Sequence, residues 1–325
     1  ESIYTGYFGE QPPVLTREQM AHTHNHSHDH GHSHGPVNYN RAFAIGVALN
    51  VVYIVVEATY GILADSLALL ADAGHNLSDV LGLLLAWGAN YLAQRKPTER
   101  HTYGWRKSTI LAALTNAVIL LVAMGGIAWE AVQRMSDPLP VAGKTIIIVA
   151  AIGVVINTAT ALLFLSGRKQ DLNIRGAFMH MAADAGVSAG VVLAGVVILS
   201  TGWLWVDPAV SLIITAIILA GTWGLLRDSF NLALDAVPAG IDPEAVKTYL
   251  SDLPGVKGVH DLHIWAMSTS ETALTAHLLK PDASDDDTLI EQAGRQLQER
   301  FGIAHITIQW ERRPGLDDCG GSCET

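Results

Sequence analysis

Residues 71–80 read ADAGHNLSDV, and residues 180–184 read HMAAD. Each stretch sets His-x-x-x-Asp inside an apolar run: LLADAG leads into the first histidine, VLGLLLAWG follows Asp79, and AGVSAGVVLAGVVIL follows Asp184. Residues four apart share one helical face, with Cβ atoms about 5–6 Å apart. His75 with Asp79, and His180 with Asp184, therefore each present two ligand groups side by side. Two such helices facing each other would supply two imidazoles and two carboxylates, a four-coordinate N2O2 set suited to Zn2+. A carboxylate at the centre of a bilayer costs about 2.5–3.5 kcal/mol on insertion scales, so four ionisable groups at matched spacing call for a cation or protons to neutralise them. Asp72, one turn before His75, is read as a group outside the coordination shell or at a helix end. Glu57, Asn50 and Asn157 are read as polar packing or as the lining of a wet path.

The surroundings of these pairs indicate a membrane protein. Half of the 325 residues are apolar and 16% are charged, against about 25% charged in an ordinary soluble domain. Six apolar stretches, near 41–63, 68–93, 108–132, 143–165, 177–200 and 207–226, reach the roughly 20 residues that a helix needs to span a bilayer. Arg41, Arg95, Lys96, Arg100, Arg106, Lys107, Arg168, Lys169, Arg175 and Arg227 flank one side of these spans, and only Arg134 and Lys144 the other. That bias places both termini in the cytoplasm; six spans agree, since an even number returns the chain to its starting side. No cleavable signal peptide is expected.

Beyond Pro238 the character changes. Asp242-Pro243-Glu244 is a helix start, with a capping Asp, Pro in the first turn and an acid facing the dipole. GVHDLHIWAM and ETALTAHLLK alternate like paired strands. A second helix begins in SDDD (284–287), whose acids are read as first-turn acids rather than a Ca2+ loop, and IAHITIQWE forms a third strand. The order αββαβ predicts a small α+β domain with helices on one face of a sheet. The chain thus divides into a His-rich N-terminal tail (1–40), a transmembrane domain (41–230), a cytosolic domain (238–312) and a C-terminal tail (313–325). Residues 238–325 hold fifteen acidic and seven basic residues, a balance that argues against nucleic acid and for cations.

Fourteen histidines sort into groups. Seven occupy every second position from His22 to His34, in a polar tract that cannot bury a core and is read as a metal-collecting tail. His101 lies in the loop between the second and third spans. His260, His277 and His305 fall on three different predicted strands; with Glu311, Cys319 and Cys323 they offer enough ligands for a second, cytosolic site. His260 and His263 have opposite parity on one strand, so only one of them is expected to join a cluster on a given face.

These residues carry a resemblance. SLALLADAGHNLSDVLG, RHTYGWRKSTILAAL, HMAADAGVS, DPAVSLIITAIIL and GVHDLHIWAMS, in that order over residues 40–312, resemble the cation diffusion facilitator family in its zinc-transporting subgroup. The resemblance implies a multi-span α-helical membrane protein of six transmembrane helices with a ferredoxin-like, metallochaperone-like cytosolic domain, working as a homodimer that exchanges a divalent cation for protons by alternating access. It implies a transport site of His75, Asp79, His180 and Asp184. The histidine at 75 points to zinc, with cobalt or cadmium as secondary substrates. It implies cytosolic metal ligands at His260, His277 and His305, with Glu311 beside them. Vesicular relatives end in Cys-x-x-Cys, whereas one more residue separates Cys319 from Cys323; relatives that bind metal in the second-to-third loop use an Asp and two histidines, whereas this loop offers His101 and Glu99. The compact loops suggest a bacterial inner membrane. Two rival readings are a membrane zinc receptor or buffer without transport, and an intramembrane zinc hydrolase. The second is disfavoured, because four protein ligands leave no open position on zinc and no HExxH motif occurs; no enzymatic activity is expected.

Overall fold

In a computed structural model, residues 39–165, 172–282 and 286–313 are described. The His22–His34 tract, Cys319, Cys323 and Asp285 lie outside the described residues, as do Arg168 and Lys169. Six helices come first: α1 (Tyr39–Leu63), α2 (Leu67–Ala93), α3 (Ser108–Ser136), α4 (Gly143–Phe164), α5 (Leu172–Thr201) and α6 (Val206–Ala233). Four of them contain described segments long and apolar enough to cross a membrane, at Ser108–Ser136, Gly143–Leu163, Arg175–Thr201 and Val206–Ala233. The other two fall short of the six spans expected. In α1 the apolar run among the described residues is Ala48–Leu63, and α2 is diluted by Asp72, His75, Asn76 and Asp79.

The packing is that of a bundle turned outward to an apolar medium. Leu69, Leu120, Met124, Ile146, Val149, Val191, Ile214 and Ile218 form the interior, while Trp87, Val122, Trp129, Val155, Leu193 and Trp223 are mostly exposed. Small residues bring backbones together: a Cβ at Gly74 would meet Met124, and one at Gly195 would meet Ile146 and Ile147, the small-residue contact typical of helices in membranes.

The start of α2 is fixed from α6. Ser66 is its cap, and the Ser66 hydroxyl donates to Asp207 Oδ1 (2.5 Å) while Leu67 N and Ala68 N donate to the same carboxylate at 2.7 and 3.4 Å. The first-turn N–H groups of a helix have no partner within it; here a buried carboxylate from a neighbouring helix satisfies them and complements the dipole. Arg134 closes the same end by donating to the Asp65 carbonyl (2.9 Å), where Asp65 adopts φ 52°.

The C-terminal part follows the expected order: α7 (Pro243–Ser251), β1 (Gly258–Ala266), β2 (Thr272–Leu279), α8 (Asp286–Phe301) and β3 (Ile303–Glu311). The sheet runs β1-β2-β3, with β1 antiparallel and β3 parallel to the central β2. Asp242 caps α7 by accepting from Glu244 N (3.0 Å). Val246, Leu250 and Leu297 from the helices pack on Ile264, Leu274, Leu278 and Ile303 of the sheet. Among the described residues, Arg106 to Glu271 (2.8 Å) and Thr269 N to Thr109 Oγ1 (3.1 Å) join the two parts, and Lys107 reaches Asp235 just after α6 (2.6 Å).

Candidate metal centre

The four residues of the duplicated motif meet. His75 Nε2 lies 3.5 Å from Asp184 Oδ1 and 3.8 Å from Asp79 Oδ2; His180 Nε2 lies 3.1 Å from Asp79 Oδ2 and 3.7 Å from Asp184 Oδ2. The imidazole centroids are 5.9 Å apart and nearly perpendicular. Zinc–nitrogen and zinc–oxygen bonds of about 2.0–2.1 Å in a tetrahedron hold neighbouring donors about 3.3 Å apart. The four observed His–Asp separations bracket that value. His75, His180 and Asp184 offer ligand atoms all within 4.8 Å of one another; Asp79, close to both imidazoles, stands outside that tightest set. One oxygen of Asp184 is buried without a hydrogen-bond partner, a cost that apolar surroundings do not forgive and that a cation would relieve; His75 Nδ1, on the ring edge away from the cage, is likewise buried and unpartnered.

The cage is uneven. Asp184 is 3% exposed and His75 20%, whereas Asp79 is 35% and His180 43%. The helical register explains the split. α2 runs from Ser66 toward the basic loop at 95–107, and α5 runs back the opposite way. Asp79 and His180 therefore sit one turn nearer the basic loops than their partners, and they form the accessible rim over a buried floor.

Beneath the floor lies a polar cluster. Glu57 and Asp72 are both fully buried. Tyr53 Oη donates to Glu57 Oε1 (2.6 Å), Asn76 Nδ2 donates to Glu57 Oε2 (3.3 Å) and Asp72 Oδ1 (3.4 Å), and Ser188 Oγ donates to Asp72 Oδ2 (2.8 Å). Asp72 is thus no helix-end residue, and Glu57 is more than isolated packing. A Cβ at Gly153 of α4 would overlap the Tyr53 hydroxyl; only glycine there lets Tyr53 reach in.

A second cluster lies on the sheet. Glu311 Oε2 is 3.1 Å from His260 Nε2, and Glu311 Oε1 is 3.0 Å from His277 Nδ1. These three residues form a candidate metal-holding group. His260 faces His277 in the β1/β2 register, and the register then slips so that His263 faces Thr275. Three residues on β1 thus span two on β2. This bulge restores parity, and His263 shares the face of His260, contrary to the alternation expected of a regular strand. Asp261, at the bulge with φ 51°, reaches His263 Nε2 (2.9 Å) and His277 Nε2 (3.6 Å). Sequence reasoning missed Asp261; the signal available was an Asp between two histidines, a residue type that tolerates left-handed backbone. His305 does not join the cluster. It faces Ala273 at the far end of β3, six residues or about 20 Å from Glu311, and packs edge-on against Tyr103 (5.6 Å). Three strands bear the histidines, but β3 runs parallel to β2, which puts the start of β3 opposite the start of β2. His101 stacks on Trp105 at 4.3 Å.

Known proteins resemble both parts of the chain. A family model described as cation efflux transmembrane domain matches residues 43–232, and one described as cation efflux protein, cytoplasmic domain matches residues 238–313. The zinc transporter ZitB of Escherichia coli is 37% identical over 298 residues, 91% of this chain and 94% of its own length. The cadmium, cobalt and zinc/H(+)-K(+) antiporter of Bacillus subtilis is 34% identical over 277 residues, 84% of this chain and 89% of its own. The solved metal-bound C-terminal domain of the CzcD transporter from Cupriavidus metallidurans is 35% identical, spans 22% of this chain and 99% of itself, and superposes with a TM-score of 0.21.

Proposed function

We propose that this chain, which belongs to the cation efflux family, is a zinc/proton antiporter that exports cytosolic Zn2+, with Co2+ or Cd2+ as further substrates. The family match makes it an integral membrane protein and a divalent cation efflux transporter. The observation that carries the finer reading is the meeting of two His-x-x-x-Asp pairs, from α2 and α5, at donor spacings that suit a tetrahedral ion.

In this reading the six helices all span the membrane, both termini lie in the cytoplasm of a bacterial inner-membrane protein, and residues 238–312 form the cytosolic domain. Zinc enters over the exposed rim of Asp79 and His180 and settles against His75 and Asp184. The ligands must be neutral imidazole and ionised carboxylate, so binding displaces protons. When the site opens to the far side, protons compete for the same groups and the ion leaves; imidazole, which titrates near neutral pH, suits that exchange. His260, His277, Glu311 and Asp261 hold a second zinc that biases the cytosolic domains. Two copies pair through the cytosolic domain, a reading that the match to the family's cytoplasmic domain supports.

The test is zinc flux into proteoliposomes with and without a pH gradient, for the intact protein and for Asp184→Ala. Gradient-dependent flux that the substitution abolishes is expected. Equal flux in both proteins sinks the site assignment, and indifference to the gradient sinks antiport. A non-transporting receptor would bind zinc without any flux.

A further inference from the structure

Glu57 and Asp72 are two carboxylates, both wholly buried, joined through Asn76 and held from outside by Tyr53 and Ser188. Among the described residues neither is ion-paired with Lys or Arg. Adjacent buried carboxylates cannot both stay ionised without a cation. All four carboxylate oxygens already accept from a protein donor, at 2.6 Å from Tyr53, 2.8 Å from Ser188 and 3.3 and 3.4 Å from Asn76, which leaves no open position for a metal ion, so the cation small enough to neutralise the pair is a proton. None of the three bonded partners, Tyr53, Asn76 and Ser188, is a cage residue, so the pair is a separate site.

Its position is also fixed by register. Asp72 precedes His75 by one turn of α2, and Ser188 follows Asp184 by one turn of α5. Both steps lead away from the basic loops, so the cluster lies between the cage and the far side of the membrane. The charged or titratable groups facing it are Tyr53 on α1, His75 on α2 and Asp184 on α5; α4 contributes Gly153 and brings no charge at that contact. Asp184, the most buried ligand, is the cage group nearest in register to Ser188, and one of its oxygens has no hydrogen-bond partner.

We infer that Glu57 and Asp72 form a proton-holding pair through which protons from the far side reach the cage as zinc departs. The inference rests on the antiport reading above. A proton enters from water on the far side, is shared by the two carboxylates, and passes to a cage ligand as its bond to zinc breaks; the pair is then reprotonated from the same side. Acid chains of this kind are the usual proton relays of membrane transporters.

Two modes of transport separate this role from a structural one. Zinc/zinc exchange at equal pH shuttles a loaded cage and needs no net proton movement, whereas flux driven by a pH gradient needs reprotonation. In proteoliposomes, Glu57→Gln is expected to lower gradient-driven zinc flux by about 100-fold, the scale of a lost proton-transfer group, while exchange stays near the wild-type rate. Asp72→Asn is run beside it, in case one variant fails to fold, and carries the same expectation. Loss of both modes to the same extent, or of neither, overturns the inference. Wild-type protein that shows no exchange overturns the transport reading instead, so the two failures are told apart.

Discussion

The two carboxylates of the cage are equivalent in sequence, each four residues after its histidine, but not in structure. Asp184 is 3% exposed and has an oxygen without a hydrogen-bond partner; Asp79 is 35% exposed. The isosteric changes Asp184→Asn and Asp79→Asn each remove one negative charge from the set proposed to hold Zn2+. At 184 the lost charge is buried, and removing one partner of a buried charge pair costs about 3–5 kcal/mol, or roughly 140- to 3,700-fold in zinc affinity at 1.4 kcal/mol per factor of ten. At 79 the rim is open, solvent screens the lost charge, and about 1 kcal/mol is the appropriate scale, roughly fivefold. The assay is equilibrium zinc binding to purified full-length protein by competition with a chromogenic chelator. Zinc flux in proteoliposomes accompanies it, and gel filtration confirms that both variants fold. Equal losses, or a larger loss at Asp79, would refute the assignment of floor and rim.

Three further outcomes follow from the geometry. His305→Ala is expected to leave cytosolic zinc binding unchanged, whereas Glu311→Ala weakens it by at least about 10- to 100-fold; zinc titration of the full-length protein separates them. Asp207→Asn replaces a charged acceptor at the start of α2 and costs about 1.5–3 kcal/mol, the scale of a hydrogen bond to a charged group, seen as a lower thermal midpoint in detergent. Asp261→Gly keeps the backbone of the bulge, while Asp261→Val forces a β-branched residue to positive φ at a cost of about 1–2 kcal/mol; faster amide exchange in β1 and β2 is expected for valine alone.

What the sequence discloses and what it hides follow from the range of each interaction. His75 with Asp79 and Asp242 at the start of α7 are local patterns, set by helical spacing and by capping, and they are readable without a fold. The helix and strand order beyond Pro238 is readable for the same reason. The bulge at Asp261 depends on how β1 is matched to β2, and a single slip there reverses the face assigned to His263. Asp207 caps a helix that begins 140 residues earlier, and Glu57 finds Asp72 across a helix interface. No spacing rule reaches such pairs. His305 groups with the other strand histidines in the sequence because strand membership is visible there and strand direction is not.

The kink at Asp261 also bears on how the protein stays apart from its neighbours. In a three-stranded sheet ordered β1-β2-β3, both outer strands carry unpaired backbone groups that invite another strand to add. A membrane crowds many copies into two dimensions with their cytosolic sheets at one height, which makes such addition a standing hazard. An irregular, twisted edge bearing a carboxylate is a poor template for it. The residue that draws the histidines of β1 together thus also guards the edge of that strand. A variant that straightens β1 would be expected to cluster in the bilayer even where its metal chemistry survived.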